Sequence, residues 1–328
     1  MKGELLSILR QRNDFVSGQE LCEHLGVSRT AVWKAIKSLK DKGYEIESVT
    51  NKGYKLISQQ DDLSEGEIKS RLDTNVMGHP VYFKESTGST NVDVKDILEN
   101  GGPEGVLVVA DKQVSGRGRR GRSWESPEKV NIYMSLGLRP EYAPDIAPMV
   151  TLIMAMAVAD AVDKALPEKD VFIKWPNDVI VGGKKICGIL TEMSVEEGYV
   201  KYVVIGTGIN VNDTDFPEEI KKTATSILLE KGEKALRSVI IADTMKAFEA
   251  YYESFKKSGD LSLIREIYEK RLVNMGKKVR VLDPKGEYEG TALGINERGE
   301  LKVRKDDGDI CEVYAGEVSV RGIYGYVL

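Results

Sequence analysis

Four arginines fall within six residues, Arg117, Arg119, Arg120 and Arg122, and glycines at 116, 118 and 121 interleave them. A stretch of that composition is neither helix, strand nor core. Glycine lets the backbone come close to a ligand, and guanidinium supplies planar N–H donors that match carboxylate or phosphate oxygens. The chemistry on offer is the binding and neutralisation of an anion. Four readings share the stretch: a site for a negatively charged small molecule, a dinucleotide fingerprint, an RNA-binding arginine–glycine tract, and a solvated loop. Gly116-x-Gly118-x-x-Gly121 spells the fingerprint as text, and an apolar run from Gly105 to Ala110 precedes it. The fingerprint should open a helix, whereas Arg122-Ser-Trp-Glu-Ser-Pro127 follows here. The phosphate-loop spelling Gly-x4-Gly-Lys-Ser/Thr is absent. Arginine–glycine tracts that bind RNA usually sit in low-complexity tails, not between apolar strands. Context favours the small anion.

Other chemistries have few residues to stand on. The chain holds only His24 and His79, and Cys22, Cys187 and Cys311 lie far apart with no Cys-x-x-Cys spacing. A zinc site, a disulfide framework and a serine–histidine triad are therefore disfavoured. Catalysis has to rest on arginine, lysine, carboxylates and a loosely held hard cation. The net charge of −5 is unevenly spread: residues 1–57 carry ten Lys/Arg against seven Asp/Glu, so that part is +3 and the rest is −8. The front of the chain is the part suited to a polyanion.

These residues need elements to hold them, and 328 residues suggest two or three domains. No secretory signal or run of the ~18 apolar residues of a membrane span is present, which points to the cytoplasm. The longest apolar tract, Ile146 to Ala159, reads as a buried helix. Leu5, Leu6, Ile8 and Leu9 predict a first helix. Ser17-Gly-Gln-Glu20 spells a capping box for a second that stops at Gly26. Ser28 is the expected N-cap of a third, with Val32, Ala35, Ile36 and Leu39 on one face. Its other face carries Thr30, Trp33, Lys34 and Lys37, beside Arg29. Tyr44–Thr50 and Tyr54–Ile57 alternate like a hairpin about Asn51-Lys-Gly53. Helices followed by this hairpin make a winged helix-turn-helix. Its third helix reads DNA, and Lys52 and Lys55 approach phosphates. A protein-interaction module of the same fold is the alternative.

From residue 63 onward, strands at 81–84, 105–110, 131–138, 171–175, 179–181, 185–192 and 199–206 predict a mixed or mostly antiparallel sheet backed by helices. Residues 213–225 read as a mobile loop, and 236–257 and 261–273 as helices. Short alternating runs from Gly276, separated by turns at 283–286 and 296–299, predict a small β-barrel.

Ser89-Thr-Asn91, Gly116 to Trp124, Lys174-Trp-Pro-Asn-Asp178, Lys185-Ile-Cys-Gly-Ile-Leu190 and Gly206-Thr-Gly-Ile-Asn-Val-Asn212 follow one another in this order. With them the whole chain resembles the bifunctional biotin protein ligases that also repress the biotin operon. The resemblance implies an α+β fold in three parts. These are a winged helix-turn-helix over 1–62, a class II aminoacyl-tRNA synthetase-like biotin/lipoate ligase fold over 63–274, and a small Src-homology-like β-barrel over 275–328. It implies that the carboxylate of biotin attacks the α-phosphate of ATP, giving biotinyl-5'-adenylate and pyrophosphate. A lysine of a biotin carboxyl carrier protein then takes the biotinyl group. An anion attacking a polyanion needs its charge neutralised, and Arg117, Arg119, Arg122 and Lys185, with Mg²⁺, would supply that.

By the same resemblance Ser89, Thr90, Asn91, Gln113 and the backbone at Gly118 surround the ureido ring. Arg117 and Arg119 sit beside the biotin carboxylate, and Trp124 packs on its apolar chain or ring. Lys185 would contact that carboxylate and the α-phosphate, Asn210 the triphosphate or its metal, and Arg321 the nucleotide. Lys174, Trp175 and Asn177 would line the cleft. Asp178 would help the incoming lysine lose its proton, or serve as a turn or dimer-interface residue. On residues alone, Ser89 to Asn91 also read as an ordinary helix cap and Trp124 as core. Phe216 is the one large aromatic of the 213–225 loop, where some relatives fold an apolar residue over the adenylate. Adenylate ordering the arginine loop, a homodimer favoured by that order, and two recognition helices on a palindromic operator complete the expectation. A ligand-responsive transcription factor without turnover and a lipoate ligase are the competing readings.

Overall fold

The computed structural model describes residues 1–328 except 13, 145–146, 284–285, 315–318 and 323–328, and leaves the side chains of 147, 319, 321 and 322 aside. The chain divides into two units. Residues 1–73 with 236–242 form one, and 74–235 with 243–328 the other.

In the first unit, Ser17 and Ser28 start helices because each hydroxyl accepts a bond from the backbone N–H three residues on, at Glu20 (3.1 Å) and Ala31 (3.3 Å). The Glu20 carboxylate, which the capping box would turn back to Ser17, pairs with Arg12 instead. Helices α1 (Lys2–Arg12), α2 (Gly18–Leu25) and α3 (Arg29–Asp41) bury Leu5, Leu9, Leu21, Val32, Ile36 and Leu39 in one cluster. Strands β1 (Glu45–Val49) and β2 (Gly53–Ser58) pair antiparallel as the expected hairpin. After it comes a short helix, α4 (Glu65–Lys69), and inside that helix a carboxylate is only 1% exposed. Glu67 accepts from Arg10 Nη2 (2.7 Å to each oxygen), Arg71 Nε (2.7 Å), Tyr44 Oη (2.7 Å) and Ser238 Oγ (3.2 Å). A buried carboxylate is tolerated only with such partners.

The second unit is built on a seven-stranded sheet. Its strands are β3 (Val81–Lys84), β4 (Leu107–Ala110), β5 (Ile132–Leu138), β6 (Val171–Lys174), β7 (Asp178–Val181), β8 (Lys184–Glu196) and β9 (Tyr199–Ile209). They lie in the order β3-β4-β5-β9-β8-β7-β6, with β3 and β4 parallel and the other neighbours antiparallel. That is the mixed sheet the tight turns predict. Helix α5 (Thr90–Glu99) packs on β4, β5 and β9. Helix α6 (Ala147–Ala165) packs on β6, β7, β8 and β9, and residues 152–159 are fully buried on every side. This explains how so apolar a tract belongs to a globular protein. Among the described residues no helix is long and apolar enough to cross a membrane.

Helices α7 (Ile227–Lys231), α8 (Arg237–Ser258) and α9 (Arg265–Arg271) follow. The last is shorter than the 261–273 expected, because residues before Arg265 form turns, with Ile264 N bonded to Leu261 O (3.0 Å). Strands β10 (Lys278–Leu282), β11 (Tyr288–Ile295), β12 (Leu301–Arg304), β13 (Ile310–Val313) and β14 (Ser319–Gly322) form an antiparallel sheet ordered β13-β12-β11-β10-β14. Among the described residues this five-stranded antiparallel sheet is what stands for the expected small β-barrel. The turn expected at 283–286 lies partly outside the described residues. Trp175 is core: 1% exposed, it donates Nε1–H to Gly299 O (2.9 Å).

Burial alone would push the Glu67 carboxyl up, but bonds from Arg10 and Tyr44 and the charges of Arg10 and Arg71 hold it below its ordinary value of 4.5. Its contribution to stability is therefore complete above pH 4.5 and is lost as pH falls through the lower folded value. Glu67→Ala should destabilise the protein by about 3 kcal/mol at neutral pH, since it strands two guanidinium groups. Urea unfolding of the full chain at pH 7 and pH 4 should show the gap between the proteins narrowing at the lower pH.

Candidate active site and nucleic-acid interface

A pocket opens where the start of α5, the arginine loop and the β8–β9 pair meet. Its polar end is built from α5 and β5. Ser89 holds the N-cap position of α5 with extended φ/ψ, yet makes no side-chain capping bond. Its hydroxyl is not spent on the helix. Thr90 gives its N–H to Gln113 Oε1 (3.0 Å), and Thr90 Oγ1 lies 2.7 Å from Ser135 Oγ. Ser135 Oγ donates to Asn91 Oδ1 (2.6 Å), and Asn91 Nδ2 donates to Glu192 (2.6 Å). Gln113 Nε2 reaches Ser126 Oγ at 3.2 Å. Neutral donors and acceptors in a buried chain suit a neutral polar group of a ligand.

The floor is bare backbone at three of its four positions. Gly188 and Gly208 are cross-strand partners, as are Leu190 and Gly206, so all four share one face of the sheet. A methyl on Gly208 would lie 2.5 Å from Trp124 Cε2, one on Gly188 2.8 Å from the same ring, and one on Gly206 would collide with the Asn91 carboxamide. Glycine at alternate strand positions marks a close approach, a signal present in Gly206-Thr-Gly208. The Trp124 indole fills that space half-buried, and its Nε1 has no hydrogen-bond partner among the described residues.

Cations line the remaining wall. The loop folds back on itself through Trp124 N to Gly116 O (3.0 Å) and Gly118 N to Arg122 O (2.8 Å), with a single 3-10 turn at Arg119–Gly121. Arg120 and Gly121 take positive φ, 59° and 70°, which closes the turn. Arg117, Gly118 and Arg119 line the pocket. Arg119 Nη1 donates to Asn177 Oδ1 (3.0 Å). Burial lowers the Arg119 pKa, Arg120 adds to the effect, and the charge of Asp178 opposes it. A partly desolvated guanidinium gains from an incoming anion. Lys185 Nζ lies 2.7 Å from Asp178 Oδ1 and 5.2 Å from the Trp124 ring centroid. The 213–225 segment is tied to this lysine: Lys185 N bonds Thr223 O (2.7 Å) and Thr225 N bonds Lys185 O (2.9 Å). The loop expected to be mobile is thus anchored at its end, and Phe216 is buried within it.

In the first unit, the outer face of α3 carries Thr30, Trp33, Lys34 and Lys37, all exposed, with Ser28 and Arg29 exposed at its start. Trp33 is 54% exposed, and Lys37 Nζ sits 5.5 Å from its ring centroid. Lys52 and Lys55 of the hairpin each lie 5.9 Å from the Phe15 ring, a residue the sequence pattern did not single out. An exposed indole held by a cation, next to further cations, suits a polyanion.

The sequence model of the biotin/lipoate A/B protein ligase family matches residues 82–210, that of an HTH domain residues 3–55, and that of the biotin protein ligase C terminal domain residues 275–321. The bifunctional ligase/repressor BirA of Bacillus subtilis (strain 168) is 40% identical over 324 residues, covering 98% of both chains. That of Escherichia coli (strain K12) is 32% identical over 318 residues, 96% of each. The structure titled biotin protein ligase from Aquifex aeolicus in complex with biotin and ATP superimposes with a TM-score of 0.65 at 29% identity, covering 74% of this chain and 98% of that one.

The chain belongs to the biotin/lipoate A/B protein ligase family.

Of the site residues expected from resemblance to such ligases, Ser89, Thr90, Asn91, Gln113, Arg117, Gly118, Arg119, Trp124, Asn177 and Lys185 line the one pocket, and Asp178 touches it through Lys185. Others lie elsewhere. Arg122 points to solvent, its carbonyl being the part that closes the loop. Asn210 is buried outside the lining, its amide spent on Thr225 O (3.0 Å). Lys174 is buried outside the lining, as is Trp175. The Arg321 backbone pairs with Arg280, but its side chain lies outside the described residues. Ser135, Ser126, Glu192 and the three floor glycines were missed as site residues.

Gly208→Ala should force the Trp124 ring off the floor and cost about 1–3 kcal/mol by overpacking. Gly88→Ala adds a methyl with nothing within 4 Å and should stay within about 0.5 kcal/mol of the parent. Parallel thermal denaturation of the two variants checks this.

Proposed function

We propose that this protein activates biotin with ATP, transfers it to a lysine of a biotin carboxyl carrier protein, and represses transcription by binding operator DNA. The observation that carries the enzymatic half is the convergence of a neutral polar end, an apolar glycine floor and the cations Arg117, Arg119 and Lys185 in one pocket. Biotin has those three parts in the same order: a ureido ring, a hydrocarbon chain and a carboxylate.

In the first step a carboxylate oxygen of biotin forms a bond to the α-phosphorus of ATP while the bond to the bridging oxygen of pyrophosphate breaks. Both partners are anions, so Arg119 and Lys185 lower the barrier by neutralising charge as it shifts. In the second step the amine of the acceptor lysine bonds the acyl carbon and AMP departs with the electron pair. The amine must also lose a proton, and we assign its acceptance to Asp178, whose carboxylate orients Lys185. Ser89, Thr90, Asn91 and Gln113 hold the ureido ring, and Trp124 covers the hydrocarbon part. Among the described residues no group of three or more His, Cys, Asp or Glu converges to cage a metal. Mg²⁺ accompanying ATP would be held chiefly by phosphate oxygens.

For the second activity we assign the α3 face of Ser28, Arg29, Thr30, Trp33, Lys34 and Lys37, with Lys52 of the hairpin, to DNA. A cytoplasmic homodimer formed when the adenylate is bound would present two such faces to a two-fold operator.

Pyrophosphate release from biotin plus ATP should fall at least about a hundredfold in Arg119→Ala and in Lys185→Ala. Release from wild type that does not depend on biotin would refute the ligase. Trp33→Ala and Lys37→Ala should each weaken binding to DNA selected by the wild-type protein by about tenfold, leaving pyrophosphate release unchanged. In Lys37→Ala the salt dependence should drop by about one ion. Wild-type affinity for that DNA should rise only with biotin and ATP together, as gel-shift titrations would show.

A further inference from the structure

Glu192 stands on β8 outside the pocket lining, and no step of the reaction calls for it. Both its oxygens are nevertheless engaged. Oε2 accepts from Asn91 Nδ2 and Oε1 from Lys95 Nζ, each at 2.6 Å, and Asn91 and Lys95 sit one turn apart on α5. An ionised carboxylate only accepts, so it allows one orientation of the Asn91 amide: Nδ2 toward Glu192, Oδ1 inward. The reverse would set two acceptors against each other. Asn91 Oδ1 then takes the proton of the Ser135 hydroxyl at 2.6 Å. Ser135 has no second proton, so in its 2.7 Å contact with Thr90 Oγ1 the threonine is the donor, and this shorter bond outcompetes the 3.2 Å contact between Thr90 Oγ1 and Gln113 Oε1. The Thr90 proton is thereby turned away from the pocket, and its oxygen presents lone pairs. Gln113 Oε1 is fixed by the Thr90 N–H at 3.0 Å, which leaves Nε2, near Ser126 Oγ at 3.2 Å, as the donating end. Asn91, Ser135 and Thr90 are all buried, so bulk water does not stand in for a lost partner.

We propose that Glu192 is a positioning residue for biotin: through Asn91, Ser135 and Thr90 it sets which atoms donate and which accept at the ureido end of the pocket. This rests on the reading of the pocket as biotin's. A ureido group offers one carbonyl acceptor and two N–H donors, so a wall with a settled sense distinguishes it from a wall that can reverse. Burial opposes ionisation of Glu192, but the bonds from Lys95 and Asn91 and the charges of Lys95 and Arg117 hold its pKa below the usual carboxylate value. The anion that fixes the order is therefore the form present at neutral pH.

Three single variants of the full chain, and the double variant of Glu192→Gln with Ser135→Ala, test it, with pyrophosphate release measured against biotin at saturating ATP and against ATP at saturating biotin. In Glu192→Gln the new amide can turn its own N–H toward Asn91, so the chain of bonds loses its fixed sense. The KM for biotin should rise about tenfold, while kcat and the KM for ATP change less than about twofold. Lys95→Met removes the ion pair but leaves the carboxylate on Asn91, and its KM for biotin should stay within about twofold of wild type. Ser135→Ala should raise the KM for biotin as Glu192→Gln does, and the double variant should be no worse than the more affected single one. An unchanged KM for biotin in Glu192→Gln overturns the proposal. So does an equal rise in Lys95→Met, because the carboxylate would then only be pinning α5 to the sheet. If Glu192→Gln does not fold, Ser135→Ala decides alone, an unchanged KM for biotin refuting the idea. A wild type that releases no pyrophosphate from biotin and ATP refutes the ligase reading and this one with it, and is told apart from the other failures by being seen without any mutation.

Discussion

A strip of sheet without side chains sets the terms for the whole ligase half. Gly188, Gly206 and Gly208 lie on one face of adjoining strands, and three side chains of the pocket come to rest against that backbone. The Trp124 indole lies on two of them, the Asn91 carboxamide on the third, and Lys185 Nζ reaches over Gly188. Ser135, directly across from Gly206 on β5, continues the same face and supplies the hydroxyl on which Asn91 leans. A flat floor is what a fused-ring ligand with a thin hydrocarbon tail requires. Any β-carbon there would narrow the slot by more than side-chain adjustment could recover, since packed interiors hold little spare room.

Electrostatics is layered on that floor in a definite order. At the polar end every group is neutral except Glu192, which stands behind Asn91 and is balanced by Lys95. At the other end the positive charges Arg117, Arg119 and Lys185 gather, with Asp178 as the counter-charge on Lys185. Burial lowers the Arg119 pKa, so an anion brought beside that guanidinium would favour its charged form. Such a site binds an anionic intermediate better than a neutral product, and it stabilises charge that develops between two bound anions. Glycines at 116, 118 and 121 let so many like charges share a short segment, because the loop can turn through positive φ at Gly121 and close on its own carbonyls.

Much of this was legible in the sequence. Capping serines, the Val32-Ala35-Ile36-Leu39 face and the hairpin about Asn51 were readable because local spacing decides them. The apolar tract of α6 and the strands of the sheet were readable for the same reason. Where tertiary context decides, the pattern was silent. Glu67 looks like one more charge on a short helix, and only the fold brings Arg10, Tyr44, Arg71 and Ser238 onto it. Glu192 looks like an alternating strand position, and its partners Asn91 and Lys95 stand 101 and 97 residues earlier in the chain, on α5. Asn210 shows the converse. Its place in a glycine-rich motif suggests a ligand contact, and only the fold shows that its Nδ2 is given to Thr225 O. Short-range signals locate the loop and floor of a site, whereas the residues that orient them are found only by following hydrogen bonds across the sheet.

The chain meets phosphate in two ways, and their chemistry differs for a physical reason. In the pocket a few phosphate and carboxylate oxygens have to be held at fixed positions while bonds change, which calls for guanidinium forks on a closed loop, partly withdrawn from water. On the face of α3 proposed to meet DNA, the phosphates of a long polymer would have to be met at many registers, which calls for exposed lysines and one flat aromatic face. Trp33 with Lys37 in the open and Trp124 with Lys185 in the pocket are the same pair of residue types in two solvents. Water screens the first, so its value lies in speed of encounter and in reach. The second has little water to screen it, so each charge there acts strongly and at short range. The split of +3 and −8 along the sequence follows from this division: the surface that attracts a polyanion is confined to the amino-terminal part, and the rest of the chain stays net acidic around a small, sheltered cluster of positive charge.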